Sequence, residues 1–294
     1  MKKWLMVIRA PFLPLALVLA FLGISIAWYD GSFHLGYALL ASFGLLLAHM
    51  SVDVFNEYFD YKSGVDLATE KTPFSGGSGA LPAGLITSRQ ALMLGMATLI
   101  LIIPIGIYFT VVQGLLLLPV IIVAGLVIVL YTPFILKTNW PEWAPGLGLG
   151  ILPILGLYFV QTGEYTLHSF IASVPSGILV HNLLLLNEFP DAAVDKQFGR
   201  RTLPIVIGKS KAAVFYSIMT IAVYAWIIGS IVAGILPVYC LIALLTLPFA
   251  IRAICGAMQY NDKSKLIPAM MNNVLVVLLT QLLLGVGYIL ARVF

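Results

Sequence analysis

Two short acidic phrases combine residue types and spacings that could do chemistry: "NEYFDYKSGVD", Asn56 to Asp66, and "NEFPDAAVD", Asn187 to Asp195. On a helix, Asn56 and Asp60 are an i, i+4 pair, as are Asp191 and Asp195, and Asp53 precedes Asn56 by three. Each phrase then presents oxygen ligands on one face, about 6 Å apart along the axis. Such oxygens suit hard divalent cations. Mg²⁺ is held by one or two carboxylates, keeps several waters and completes its shell from substrate phosphate, so two facing pairs could clamp a diphosphate. Basic residues stand beside the acids: Lys62, Lys71 and Arg89 after the first phrase, Arg200 and Arg201 after the second, and Lys137 between them. A polyphosphate held by both sets would have its charge neutralised as it departs, which is the electrostatic half of ionising a diphosphate.

Other site chemistries are excluded or weak. His34, His49, His168 and His181 are isolated and Cys240 and Cys255 are distant, so no zinc-type cluster is present. Both cysteines lie in apolar segments, where no disulfide is expected. "GGSGALPAG", Gly76 to Gly84, lacks the Lys-Ser/Thr ending of a nucleotide loop and reads as a loop or lid. Gly146, Gly148, Gly150 and Gly156 have the spacing of close helix contacts.

The elements that must carry these phrases follow from composition. Of 294 residues, 61% are apolar and 10% charged, a balance that polar surface could not cover in water. The chain reads as an integral membrane protein, all α-helical. A hydrocarbon core of about 30 Å takes about 20 apolar residues per helix. That ruler fits near 11–29, 35–57, 89–112, 114–132, 143–161, 166–187, 212–234, 237–254 and 268–291, which predicts nine spans in one bundle and one domain, 1–294. The basic, apolar start is read as a retained first span because Arg9, Pro11 and Pro14 interrupt it.

With nine spans and a cytoplasmic N-terminus, 15 of the 16 Lys and Arg fall on the inner side, leaving only Arg292 outside. The net charge of +4 is thus a topology signal rather than a nucleic-acid surface. Eight of the 12 acids lie at or just beyond the inner ends of the second and sixth spans. A carboxylate near hydrocarbon costs about 2.5–3.5 kcal/mol, so several together call for a cation, a basic partner or both. A diphosphate head held there with a tail in the bilayer describes a prenyl diphosphate.

The order "NEYFDYKSGVD", "YTPFILK" (Tyr131 to Lys137) and "NEFPDAAVDKQFGRRTLPIVIG" (Asn187 to Gly208) resembles the UbiA superfamily of intramembrane aromatic prenyltransferases. "YKSGVD" and "GRRTLPIVIG" look most like its menaquinone-branch members, which prenylate dihydroxynaphthoate, and their animal relative. The resemblance covers most of the chain. It implies a helical bundle around a central cavity open sideways to lipid, with two Mg²⁺ ions bridged by the diphosphate. Carried over by motif, Asn56, Asp60, Asp66, Asp191 and Asp195 would bind metal. Lys137 would bind the diphosphate, with Lys71, Asn187 and Arg201 as further substrate ligands. Asp60, Asp66 and Asp191 would be catalytic, with Asp66 a base for an acceptor hydroxyl. Tyr131 and Tyr158 would face the allylic cation that forms. Two departures stand out: Glu57 replaces the usual motif Asp, and the familiar Arg-Pro after the first motif is replaced around "KTPFSGGSGALPAG".

Two alternatives remain at the level of sequence. The acceptor could be a phenolic acid, a glycerol phosphate lipid, a porphyrin or a chlorin. A cation-coupled transporter also uses intramembrane carboxylates, but here the acids cluster on one side and repeat without inversion.

Overall fold

The computed structural model describes residues 2–294. The long helices are α1 (Ala10–Tyr29), α2 (Leu35–Ser63), α3 (Ser88–Gln113), α4 (Leu115–Leu130), α5 (Trp143–Thr162), α6 (Leu167–Gln197), α7 (Lys209–Val232), α8 (Val238–Ala257) and α9 (Lys263–Val293). Eight of them are long and apolar enough to cross a membrane. The exception is α4, an apolar helix too short to meet that length, so the expected count of nine becomes eight candidate spans plus one short apolar helix.

Local chemistry sets the ends. Thr87 and Gln90 form a capping box at the start of α3, and Thr166 does the same with Ser169 for α6. The Asp262 side chain accepts from the Ser264 N–H to open α9. Gly64, at φ +85°, ends α2 in the left-handed region that favours glycine.

Packing is organised around α1, α2, α5, α6 and α9: α2 lies along α3, α9 along α1 and α8, α1 on α5, and α6 between α5 and α7. The α5–α6 contact depends on glycine. A Cβ at Gly150 would stand 2.6 Å from Gly177 Cα, and one at Gly146 would stand 2.9 Å from Gly177 O. Gly148 is as tight against Val127, whereas Gly156 has only an ordinary contact to Val120, so the close-contact reading fails there. Between Gly146 and Leu152 the helix widens into a π turn, Leu147–Ile151. By contrast, α3 and α4 turn large apolar side chains outward, among them Ile100, Ile107, Val111 and Leu126, as a lipid-facing surface would.

Two helices run furthest past their expected ends, α2 to Ser63 and α6 to Gln197. The apolar ruler stops where hydrocarbon must stop. The backbone hydrogen-bond ladder continues because the acidic side chains on these last turns find cationic and backbone partners. Both phrases therefore lie on helix, with only Asp66 beyond Gly64, on the short turn Val65–Ala68.

Candidate active site

The last turns of α2 and α6 meet at one end of a cavity of ≈ 970 Å³ whose other walls come from α1, α3, α4, α5 and α9. Asn56, Asp60, Asp66, Asn187, Asp191 and Asp195 all line it. Tyr131 and Lys71 line it too. Farther along, the wall is apolar, with Leu45, Ile105, Ile121, Leu152 and Val277 among its residues.

The two acidic phrases are joined by Arg200. Its Nη2 pairs with Asp60 of the first phrase, and its Nη1 donates to Asp195 Oδ1 of the second at 3.0 Å. Burial opposes the charge on this guanidinium, but Asp60 and Asp195 outweigh it and raise its pKa, so it stays cationic. A second, partly buried cation, Arg9, donates from Nε to Glu57 Oε1 and from Nη2 to Asn56 Oδ1, both at 2.8 Å.

The glycine-rich segment closes over this end. Ser78 donates to Glu57 through its backbone N–H (2.7 Å, to Oε1) and its hydroxyl (2.6 Å, to Oε2). Ser75 Oγ and the Gly76 N–H both donate to Asp191 at 3.2 Å. Gly77, at φ +68°, passes so close to Asp66 that a Cβ would stand 2.7 Å from Oδ1. The segment is a loop laid across both acidic phrases. Glu57, fully buried, is its anchor, which gives the departure from the family motif a structural job.

Burial, and then the nearby charges of Asp60 and Glu57, push the Asp66 carboxyl up to about 7. Tyr131 is raised well above the ordinary tyrosine range by burial and by Glu188 and Glu142, which keeps it a neutral phenol.

Several expected residues are elsewhere. Lys137 lies exposed on the turn Ile135–Lys137, and Arg201 is exposed with its backbone N–H donating to Leu136 O; neither lines the cavity. Tyr158 is not a cavity aromatic: its hydroxyl donates to Asp30 Oδ2 at 2.7 Å, and Asp30 lies 3.3 Å from His168 Nδ1 near the opposite ends of the helices. Tyr158 sits too late on α5 to reach the acidic end. His181 accepts from Trp140 Nε1 (2.8 Å) and lies against Asn182, a packing role. His49 lines the cavity 3.6 Å from Asp53. Both cysteines are free.

Sequence reasoning did not name Arg9 as a site residue, and of the adjacent Arg200 and Arg201 it carried Arg201 into the site, whereas Arg200 is the one that lines the cavity. For Arg9 the signal was its isolation in an apolar run; for Arg200 only the turn after α6 decides which arginine points inward.

An oxygen-only donor set suits Mg²⁺ better than zinc, and two of its buried oxygens, Asp66 Oδ2 and Asn187 Oδ1, have no partner among the described residues. Among those residues no three His, Cys, Asp or Glu converge to hold an ion unaided.

The class these features define is a helical membrane protein with an apolar cavity closed at one end by charged, oxygen-bearing side chains. The family is shown by comparison: residues 16–279 match the UbiA prenyltransferase family, and the chain belongs to it. It is 28% identical over 231 residues to a 1,4-dihydroxy-2-naphthoate octaprenyltransferase of Bacillus subtilis, covering 78% of this chain and 73% of that one. To the Escherichia coli enzyme of the same name it is 24% identical, covering 99% and 96%. Among solved structures, a UbiA homologue from Aeropyrum pernix superposes with a TM-score of 0.73 at 19% identity, covering 95% and 97%. One from Archaeoglobus fulgidus bound to GPP and Mg²⁺ gives 0.62 at 14%, covering 96% and 99%.

Proposed function

We propose that this prenyltransferase moves a prenyl group from a prenyl diphosphate to an aromatic quinone precursor of the dihydroxynaphthoate type, releasing diphosphate and, from a carboxylated ring carbon, CO₂. The observation that carries the reading is the bridging of Asp60 and Asp195 by Arg200, which brings both acidic phrases to one end of an apolar cavity. The acceptor class is supported by the naphthoate octaprenyltransferases that the chain resembles.

Asn56, Asp60, Asp66, Asp191 and Asp195 would hold Mg²⁺, which supplies charge neutralisation to the departing diphosphate when bound. Arg200, Arg9 and Lys71 are the basic groups placed to bind phosphate oxygens; Lys137 and Arg201 would have to move to reach them. The Ser75–Ser78 loop orients Asp191 and shields the head group from water. Tyr131, neutral and buried, presents its ring to the developing allylic cation. The helices are read as one domain, and with α4 crossing together with the eight longer helices, the distribution of lysine and arginine supports a charged end that faces the cytoplasm.

The test is transfer by purified protein with Mg²⁺, a prenyl diphosphate and dihydroxynaphthoate, set against phenolic acids and glycerol phosphate lipids. Asp60→Ala and Asp191→Ala should abolish transfer while leaving the fold intact by circular dichroism. Full activity in either variant would overturn the assignment.

A further inference from the structure

The two acidic phrases match in spacing, Asn56 with Asp60 and Asn187 with Asp191, but the helices that carry them differ beyond the asparagines. On α6 the cavity wall deeper than Asn187 is apolar, formed by Leu184, Leu183 and Val180. On α2 it stays polar through Asp53 to His49 before Ala48, Leu45 and Ala41 take over. His49, Asp53, Asn56 and Asp60 follow one another at i, i+4, i+7 and i+11, a single stripe on one face of the helix. At 1.5 Å per residue, His49 stands about 10 Å farther along the axis than Asn56.

This histidine is 3% exposed and yet unbonded. Its Nδ1 has no hydrogen-bond partner among the described residues, and its Nε2 approaches Asp53 Oδ2 at 3.6 Å, longer than a hydrogen bond. Asp53 Oδ2 is itself without a donor. His181, midway along α6, shows the contrasting case: its ring is bonded on both sides, to Trp140 at 2.8 Å and Asn182 at 3.1 Å, and it does not line the cavity. A buried polar nitrogen left without a bond is costly, so one kept in that state on a cavity wall points to a partner carried by the ligand.

We propose that His49, steadied by Asp53, recognises the aromatic acceptor: a ring hydroxyl beside the reacting carbon donates to its imidazole. This rests on the prenyl-transfer reading and says where on the wall the acceptor sits. With the diphosphate held between the two acidic phrases and the tail running along the apolar wall, the allylic carbon lies just past the asparagines. An acceptor that attacks it must occupy the same layer. On α2 and α6 the polar groups of that layer are Asp53 and His49, whereas Leu183 and Leu184 offer only apolar contact. A carboxylate bonded to one ring nitrogen leaves the other to accept, and such pairs are often long until substrate binds.

The test separates recognition from packing. His49→Phe keeps a ring and removes its nitrogens. In transfer assays it should raise the KM for dihydroxynaphthoate about tenfold, the worth of one neutral hydrogen bond, and leave the KM for prenyl diphosphate and the Mg²⁺ requirement within about twofold. His49→Gln, which restores a hydrogen-bonding amide, should recover part of the loss. The second readout is selectivity, measured by calorimetry on protein loaded with Mg²⁺ and inorganic diphosphate. The wild type should bind dihydroxynaphthoate about tenfold more tightly than the analogue with hydrogen in place of the hydroxyl beside the reacting carbon, and His49→Phe should bind the two about equally. A packing role would not move that ratio. His49→Leu carries the same comparison where phenylalanine disturbs the fold. A ratio unchanged from wild type in either variant overturns the His49 assignment, and product formed by the wild type leaves the transfer reading standing. No product from the wild type with any aromatic acceptor overturns the transfer reading and this role with it.

Discussion

Replacing Glu57 tests the loop anchor directly. Its carboxylate accepts from Arg9 Nε (2.8 Å), Ser78 N (2.7 Å) and Ser78 Oγ (2.6 Å), and it has no exposed surface. Glu57→Ala removes the ion-pair partner of the mostly buried Arg9 guanidinium, leaving it its bond to Asn56, and frees the loop. Breaking a buried ion pair by removing one partner costs about 3–5 kcal/mol, and the loop's two charge-assisted bonds are part of that cost rather than additional to it. Glu57→Asp restores the usual family residue but shortens the reach by one methylene, so it can satisfy Arg9 or Ser78 but not both; a loss of about 1–3 kcal/mol follows from the group left unpaired. Unfolding free energies in mixed micelles, with limited proteolysis at residues 72–84, measure both effects. The double variant Arg9→Ala/Glu57→Ala should be less destabilised than the sum of the single variants, because the orphaned charge is gone. Additive losses, or an unaltered loop in Glu57→Ala, would refute the anchoring argument.

Arg200→Gln should weaken binding of Mg²⁺-diphosphate at least tenfold by calorimetry, whereas Arg201→Gln, exposed and outside the cavity, should change it less than threefold. For Asp66, whose pKa in the metal-free protein stands at about 7, the charged form is the one that binds a cation. Mg²⁺ affinity should therefore rise with pH through about 7 and level off above it, with protons released on binding near neutrality. In metal-free protein the sign is opposite: a folded-state pKa raised above 3.8 costs stability as pH rises from about 4 to 7. Calorimetry in two buffers of different ionisation enthalpy detects the protons, and Asp66→Asn should abolish the pH-dependent part. Gly150→Ala should lower the unfolding free energy by about 1–3 kcal/mol, since its Cβ would meet Gly177 backbone rather than a flexible side chain.

The sequence by itself determined the helices and the chemistry at their ends. Apolar runs of membrane length can satisfy their backbone in lipid only as helices, so all nine segments are helical, and i, i+4 spacing put each acidic phrase on one face. Three things depended on tertiary structure. Where α2 and α6 end was set by partners for the acids, which no hydropathy window contains. Arg200 reaches Asp60, 140 residues away, because Asp195 and the turn after α6 aim it there, while adjacent Arg201 faces out. Arg9, counted in sequence only as a positive charge, becomes the counter-ion of Glu57 through a contact across 48 residues. Periodicity and composition act along the chain, whereas pairing of buried charges is decided between helices.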